Sequence, residues 1–171
     1  MAPHTFYDGT IPVAISILKT LSHILTVASQ QRPTETTTLL HNSRLHETMY
    51  PLTDQVRIVT QWTENLVARL TGRDATTFSG SPDSFSESFE RINTVLKSLS
   101  EADKDRVNEE GDSEKPTTLA PGMEVPMTGA TWAHTVILPN LYFHVTTAFG
   151  ILRKEGVEIG KRDYYAGFFP M

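Results

Sequence analysis

The sequence predicts an all-α fold, a four-helix bundle, on three observations. Apolar residues recur at helical spacing in four long segments, each with its own start and stop signals. Only one short stretch alternates as a strand would. There is no cysteine to build a disulfide framework or a thiolate site.

The first helix starts at Thr10, with Ile11-Pro12 supplying a proline in the first turn. Ala14, Leu18, Leu21, Leu25 and Ala28 form its apolar stripe, widened by Ile17 and Ile24, and Pro33 marks its end. Residues 34–45 are threonine-rich and are expected to add a short helical turn around Leu39, Leu40 and Leu45. Pro51 opens the second long helix. Leu52, Val56, Val59, Leu66 and Leu70 share one face with Trp62 beside it, and Gly72 is the expected stop. Ser81-Pro82 repeats the capping pattern before Phe85, Phe89, Ile92, Leu96 and Leu99.

Residues 101–116 read as a mobile loop. Glu101, Asp103, Asp105, Glu109, Glu110, Asp112 and Glu114 outweigh Lys104, Arg106 and Lys115 there. A small hairpin is expected from Thr117–Leu119 and Glu124–Met127, with Pro126 confining its strand to an edge. Thr128 then caps a last helix to about Glu155, kinked or interrupted at Pro139 and stopped by Gly156. Four long helices, short second and third connections and one long crossover loop make a single bundle domain over residues 1–171.

Bulk composition excludes several function classes. At 171 residues, 39% hydrophobic and 20% charged, the chain suits one soluble core. A net charge of −5 gives no basic footprint for nucleic acid. The uncharged stretch from His134 up to Arg153 contains Pro, Asn and two His and makes a poor membrane span. No secretory leader pattern is visible, so a cytoplasmic protein is expected. Phosphate-loop, dinucleotide and GxSxG patterns are missing, and His46-Glu47 lacks the second histidine of a zinc motif because Tyr50 stands in its place.

The polar groups of the last helix point to chemistry. Asn140 and His144 are one turn apart and share a face, so an amide and an imidazole converge among apolar neighbours. Histidine titrates near neutrality and serves as general acid, base or metal ligand. The plainer reading is that the pair satisfies buried carbonyls, including those freed by Pro139. His134 lies ten residues earlier, about 80° around and ~15 Å along an ideal helix, which suits a pocket mouth or a cap. From the second helix, Gln55 borders the buried stripe, whereas Asp54 sits where a carboxylate already favours the helix dipole. Tyr7, Tyr142 and Trp62 are candidates to line a substrate pocket with His134.

Longer motifs carry a family resemblance. Tyr7-Asp8 with Pro12, Arg44-Leu45, Met49-Tyr50-Pro51-Leu52 with Gln55-Val56, and Ala68-Arg69-Leu70-Thr71-Gly72 belong to it. So do His134, the run Leu138-Pro139-Asn140-Leu141-Tyr142-Phe143-His144-Val145-Thr146-Thr147-Ala148, Ile151-Leu152-Arg153, Gly156-Val157 and Gly160-Lys161-Arg162-Asp163. The chain resembles a microbial domain-of-unknown-function family grouped with the DinB/YfiT-like four-helix bundles. That resemblance implies an up-down-down-up bundle, a homodimer, and a divalent-metal site from one His of the second helix and an HxxxH pair of the last. This chain departs from that set: Asn140 replaces the first histidine of the pair, Gln55 is the second helix's only offer, and Thr48 stands where relatives are expected to carry an acid.

The expected function is therefore a small-molecule enzyme without cofactor, in secondary metabolism. His144 would act as general acid/base, with Asn140 and Gln55 fixing a carbonyl or hydroxyl during an isomerisation, cyclisation or elimination. Two competitors stand beside it. One is a DinB-type metal-dependent transferase or hydrolase, with His144, Asn140 and Gln55 as ligands. The other is a non-catalytic binding or interaction protein. A homodimer is expected, and neither nucleic acid nor membrane is expected as a partner.

Overall fold

The computed structural model describes residues 3–169. The elements are α1 (Ile11–Gln31), α2 (Thr36–Asn42), α3 (Leu52–Thr71), α4 (Phe85–Ser100) and α5 (Lys104–Asp112). They continue as β1 (Glu114–Ala120), β2 (Met123–Thr128), α6 (Gly129–Trp132), a π turn at Ala133–Ile137, α7 (Leu138–Lys154), α8 (Lys161–Tyr164) and a 3-10 turn at Tyr165–Gly167. The fold is helical, with one small two-stranded sheet.

Four long helices enclose the core. α1 and α3 each pack against both α4 and α7, so the ring runs α1–α4–α3–α7. Contacts at their ends fix the directions. Thr10 meets His134 and Arg32 meets Glu155, so α1 and α7 run parallel. Gln55 meets His144 while Arg69 reaches Met127 and Trp132, so α3 runs against them. Thr53 and Asp54 bond Pro82 and Ser81 just before α4, which makes α4 parallel to α3. The topology is up-down-down-up.

Parallel α3 and α4 require the chain to return the length of α3, so the short second connection expected from sequence is a strap. α3 is about 30 Å long and residues 72–84 reach about 40 Å when extended. A ladder on α3 pins the strap. Buried Glu64 takes Arg73 and the Thr76 amide, Gln61 takes the Thr76 carbonyl and the Phe78 amide, and Thr53 donates to the Pro82 carbonyl at 2.7 Å. Gly72, with φ of 72°, turns the chain out of α3 in the left-handed conformation that favours glycine.

Three local expectations need correction. Ser81 does not cap the third long helix; Ser84 does, accepting the Glu87 amide, and the Ser81 hydroxyl binds Asp54 instead. Thr10 holds the position before α1, but its hydroxyl donates to the Phe6 carbonyl and caps nothing. Residues 101–116 are not a loop over their length: Lys104–Asp112 is helical, capped by Asp103, with Val107 in the core. Lys104, Arg106, Glu109 and Glu110 are paired. Buried Glu110 meets both Arg106 and Lys115 at 2.6 Å, and Lys104 holds Asp8 at 2.8 Å. Composition alone treats such charges as solvated.

The hairpin pairs Pro116 with Pro126 and lies against α3, where Arg69 bonds Thr117 and the Met127 carbonyl beneath Trp132. Thr128 caps the final helix as expected, accepting the Thr131 amide. Gly129 permits a close crossing, since a Cβ there would strike the Glu110 carbonyl. The interruption expected at Pro139 takes the form of the π turn before it, where the Leu138 amide bonds Ala133, and the helix continues through the proline. Ile11–Gln31 and Gly129–Lys154 are long and apolar enough to cross a membrane by length and composition. Half of each apolar window is buried inside the fold, as in core helices.

Candidate functional site

Pro51, extended at ψ 174°, delivers the chain into α3 and leaves the Tyr50 carbonyl just ahead of the helix. Gln55, one turn in, is 1% exposed. Its Nε2 donates to the Tyr50 carbonyl at 2.9 Å. Its Oε1 lies 2.7 Å from Nδ1 of His144, on the antiparallel α7.

This pair of bonds fixes the histidine. An amide that donates through nitrogen to a carbonyl must present its oxygen to the imidazole, and a carboxamide oxygen only accepts. Nδ1 therefore carries the proton, and in the neutral ring the lone pair is on Nε2, which has no protein partner among the described residues. Burial pushes the His144 pKa below its ordinary value, and the Arg57 guanidinium adds to the effect. The imidazole is thus held neutral, in one tautomer, with its basic nitrogen unused. The ring edge meets Phe143, with centroids 5.1 Å apart.

Asn140 shares this face of α7 one turn earlier. Its Nδ2 is buried with no hydrogen-bond partner, an arrangement that costs about 1–3 kcal/mol. The expectation that Asn140 satisfies a carbonyl freed by Pro139 fails at that atom.

The other sequence candidates lie elsewhere. His134 approaches Thr10 Oγ1 at 3.4 Å and packs its ring against Phe6. Tyr7 sits at that same end, its amide bonded to Asn108 and its ring near Lys104. Trp62 packs against the core from α3. Tyr142 points outward and stacks on Phe168, and burial by its aromatic neighbours raises its pKa. None of these four bonds His144, so the structure assembles Gln55 with His144 and leaves the remainder apart.

The expected internal pocket between the second and fourth long helices is also revised, because the Gln55 side chain occupies that gap. Four surface concavities measure between about 280 and 410 Å³, and His144, Asn140 and Gln55 line none of these four. One of about 410 Å³, bounded by Leu45, Pro139, Tyr142, Phe143, Thr146 and Thr147, lies on the adjoining face of α7. Phe143 belongs to both, touching the imidazole and lining the depression. Sequence reasoning missed the Tyr50 carbonyl, because a main-chain group leaves no residue signature. It also missed Arg57 and Phe143, which look like ordinary surface positions.

The domain family described as Domain of unknown function (DUF1993) matches residues 6–165. The chain belongs to the DUF1993 family. A solved structure of a DinB family member protein from Shewanella denitrificans is 34% identical and covers 96% of this chain and 93% of its own, with a TM-score of 0.83. No curated protein matches this DUF1993 chain.

The metal that the DinB superfamily implies can be tested against the donors this DUF1993 member presents. No cluster of three or more His, Cys, Asp or Glu able to hold a metal exists among the described residues. Gln55 uses its oxygen on His144 and its nitrogen on Tyr50, and Asn140 buries its nitrogen. One imidazole beside two neutral amides is a poor set for zinc or nickel. The residues do not fit the group.

Proposed function

We propose that this protein is a cofactor-independent small-molecule enzyme in which His144 Nε2 is the general base. The observation that carries the reading is the Tyr50–Gln55–His144 chain of hydrogen bonds, which sets the tautomer and leaves Nε2 free at neutral pH. Such a base removes a proton next to a carbonyl, or from a hydroxyl, and returns it as the imidazolium. An isomerisation, cyclisation or elimination needs no more than this, and secondary metabolism is the setting proposed for it. Substrate would occupy the depression beside Phe143 and reach Nε2 past that ring, which is 58% exposed. The Asn140 amide, whose nitrogen is buried and borders none of the four concavities, would donate to the substrate's carbonyl once the side chains covering it move aside. Gln55 acts on the imidazole and not on the substrate.

The test screens turnover of small carbonyl compounds by the native protein and by His144→Ala, with folding followed in parallel. Loss of turnover in a folded variant supports the reading. Unchanged turnover overturns it.

We also propose a cytoplasmic homodimer with no nucleic-acid or membrane partner. What supports the dimer is the likeness to the DinB superfamily, within which a homodimer is expected. A clean monomer in sedimentation at micromolar concentration would overturn it.

A further inference from the structure

A second concavity, of about 410 Å³, lies between the outer face of α3 and the strap, lined by Arg57, Gln61, Asn65, Thr77, Phe78 and Gly80. Arg57, Gln61 and Asn65 recur every fourth residue and so form one stripe along α3. Their hydrogen bonds are divided unevenly. Arg57 spends only Nε, on Asp54 at 2.8 Å, and the Ser81 hydroxyl holds the same carboxylate oxygen at 2.8 Å. The two terminal nitrogens of the guanidinium have no protein partner among the described residues. Gln61 is spent at both ends: its Nε2 donates to Asn65 Oδ1 and the Thr76 carbonyl, and its Oε1 accepts the Phe78 amide. That leaves Asn65 with its oxygen occupied and its amide N–H groups available.

The groove therefore offers donors without matching acceptors. It presents a planar guanidinium fork braced from behind, a carboxamide turned donor-outward two turns away, and a phenyl wall. No carboxylate is among the lining residues. A planar fork pairs best with a planar two-oxygen acceptor, which it meets by two parallel hydrogen bonds. We infer that this groove binds a small organic carboxylate, its two oxygens on the Arg57 fork and its apolar body against Phe78. This site meets the His144 site only through Arg57, whose charge also acts on the imidazole, and it stands whether or not His144 is catalytic.

The test titrates the full-length protein with benzoate, and separately with inorganic phosphate, following amide and side-chain NMR signals. Saturable shifts at Thr77, Phe78, Gly80 and the Asn65 side chain are expected with benzoate, with a Kd on the order of 1 mM. Arg57→Gln should weaken binding at least about tenfold, and Arg57→Lys, which keeps the charge but loses the fork, should weaken it nearly as much. Should Arg57→Gln fail to fold, Arg57→Lys carries the comparison. Shifts that do not saturate, or that persist in both variants, overturn the site. Phosphate binding as tightly as benzoate at the same residues overturns the carboxylate assignment.

Discussion

Gln55 and His144 face each other across the antiparallel pair α3 and α7, amide oxygen to Nδ1 at 2.7 Å, and the Tyr50 carbonyl behind the amide decides which atom is which. A neutral partner in this position orders the ring without stabilising its charged form. A carboxylate there would order the ring and charge it.

Replacing Gln55 by Glu should therefore raise the His144 pKa above its ordinary value, reversing the present direction of shift. Gln55→Leu should leave the Nδ1–H unpartnered at a buried position and cost about 1–3 kcal/mol of stability. NMR titration of the ring protons checks the first outcome and denaturant unfolding the second.

Asn140 gives the opposite sign. Its buried Nδ2 has no partner, so Asn140→Leu should leave stability unchanged or raise it by about 1 kcal/mol. On the catalytic account the same variant loses turnover. An amide that held the helix together would show a loss of stability on this substitution.

The pH dependence of stability follows from the depressed His144 pKa. The folded state binds this proton less readily than the unfolded chain, so the stabilisation is fully present above the ordinary value of 6.5 and is lost as pH falls through the folded value. Glu64 and Glu110 shift downward in the folded state under the influence of Arg73 and of Lys115, respectively. Their contribution is present above the ordinary carboxylate value of 4.5 and is lost at still lower pH. Unfolding across this range should show two separate losses, and His144→Ala should remove only the upper one.

The strap rests on Glu64, which is 2% exposed and faces Arg73 at 2.6 Å. Glu64→Ala should cost about 3 kcal/mol, because it removes the acceptor for both Arg73 and the Thr76 amide. Arg73→Ala should cost a comparable amount by stranding the buried carboxylate. Calorimetric unfolding of the two variants checks both.

The long helices were legible because each carries its own apolar period, from Ala14 to Ala28 and from Phe85 to Leu99, with stops at Gly72 and Gly156. The strap was not, since its hold on α3 runs through Glu64, Gln61 and Thr53, positions that look like the polar remainder of an amphipathic helix. α5 was hidden for a related reason: Glu110 is buried only because Arg106 and Lys115 meet it there, a pairing that sequence does not display. At the site, helical spacing put Asn140 and His144 on one face and set Gln55 opposite. It did not show that Gln55 would be consumed by His144, because that depends on the antiparallel register of α3 and α7. Tyr142, His134, Tyr7 and Trp62 were grouped by residue type, and packing sends Tyr142 to the outer face of α7, His134 and Tyr7 to the Thr10 end of the bundle, and Trp62 against the core.

His144 is neutral at pH 7, protonated on Nδ1, with Nε2 free to take a proton. Nitrogen-15 chemical shifts of its ring, followed against pH, measure this directly. The Nδ1–H tautomer and a pKa below 6.5 are expected in the native protein, with Gln55→Glu moving the value upward. An Nε2–H tautomer, or a pKa at or above the ordinary histidine value, would contradict it.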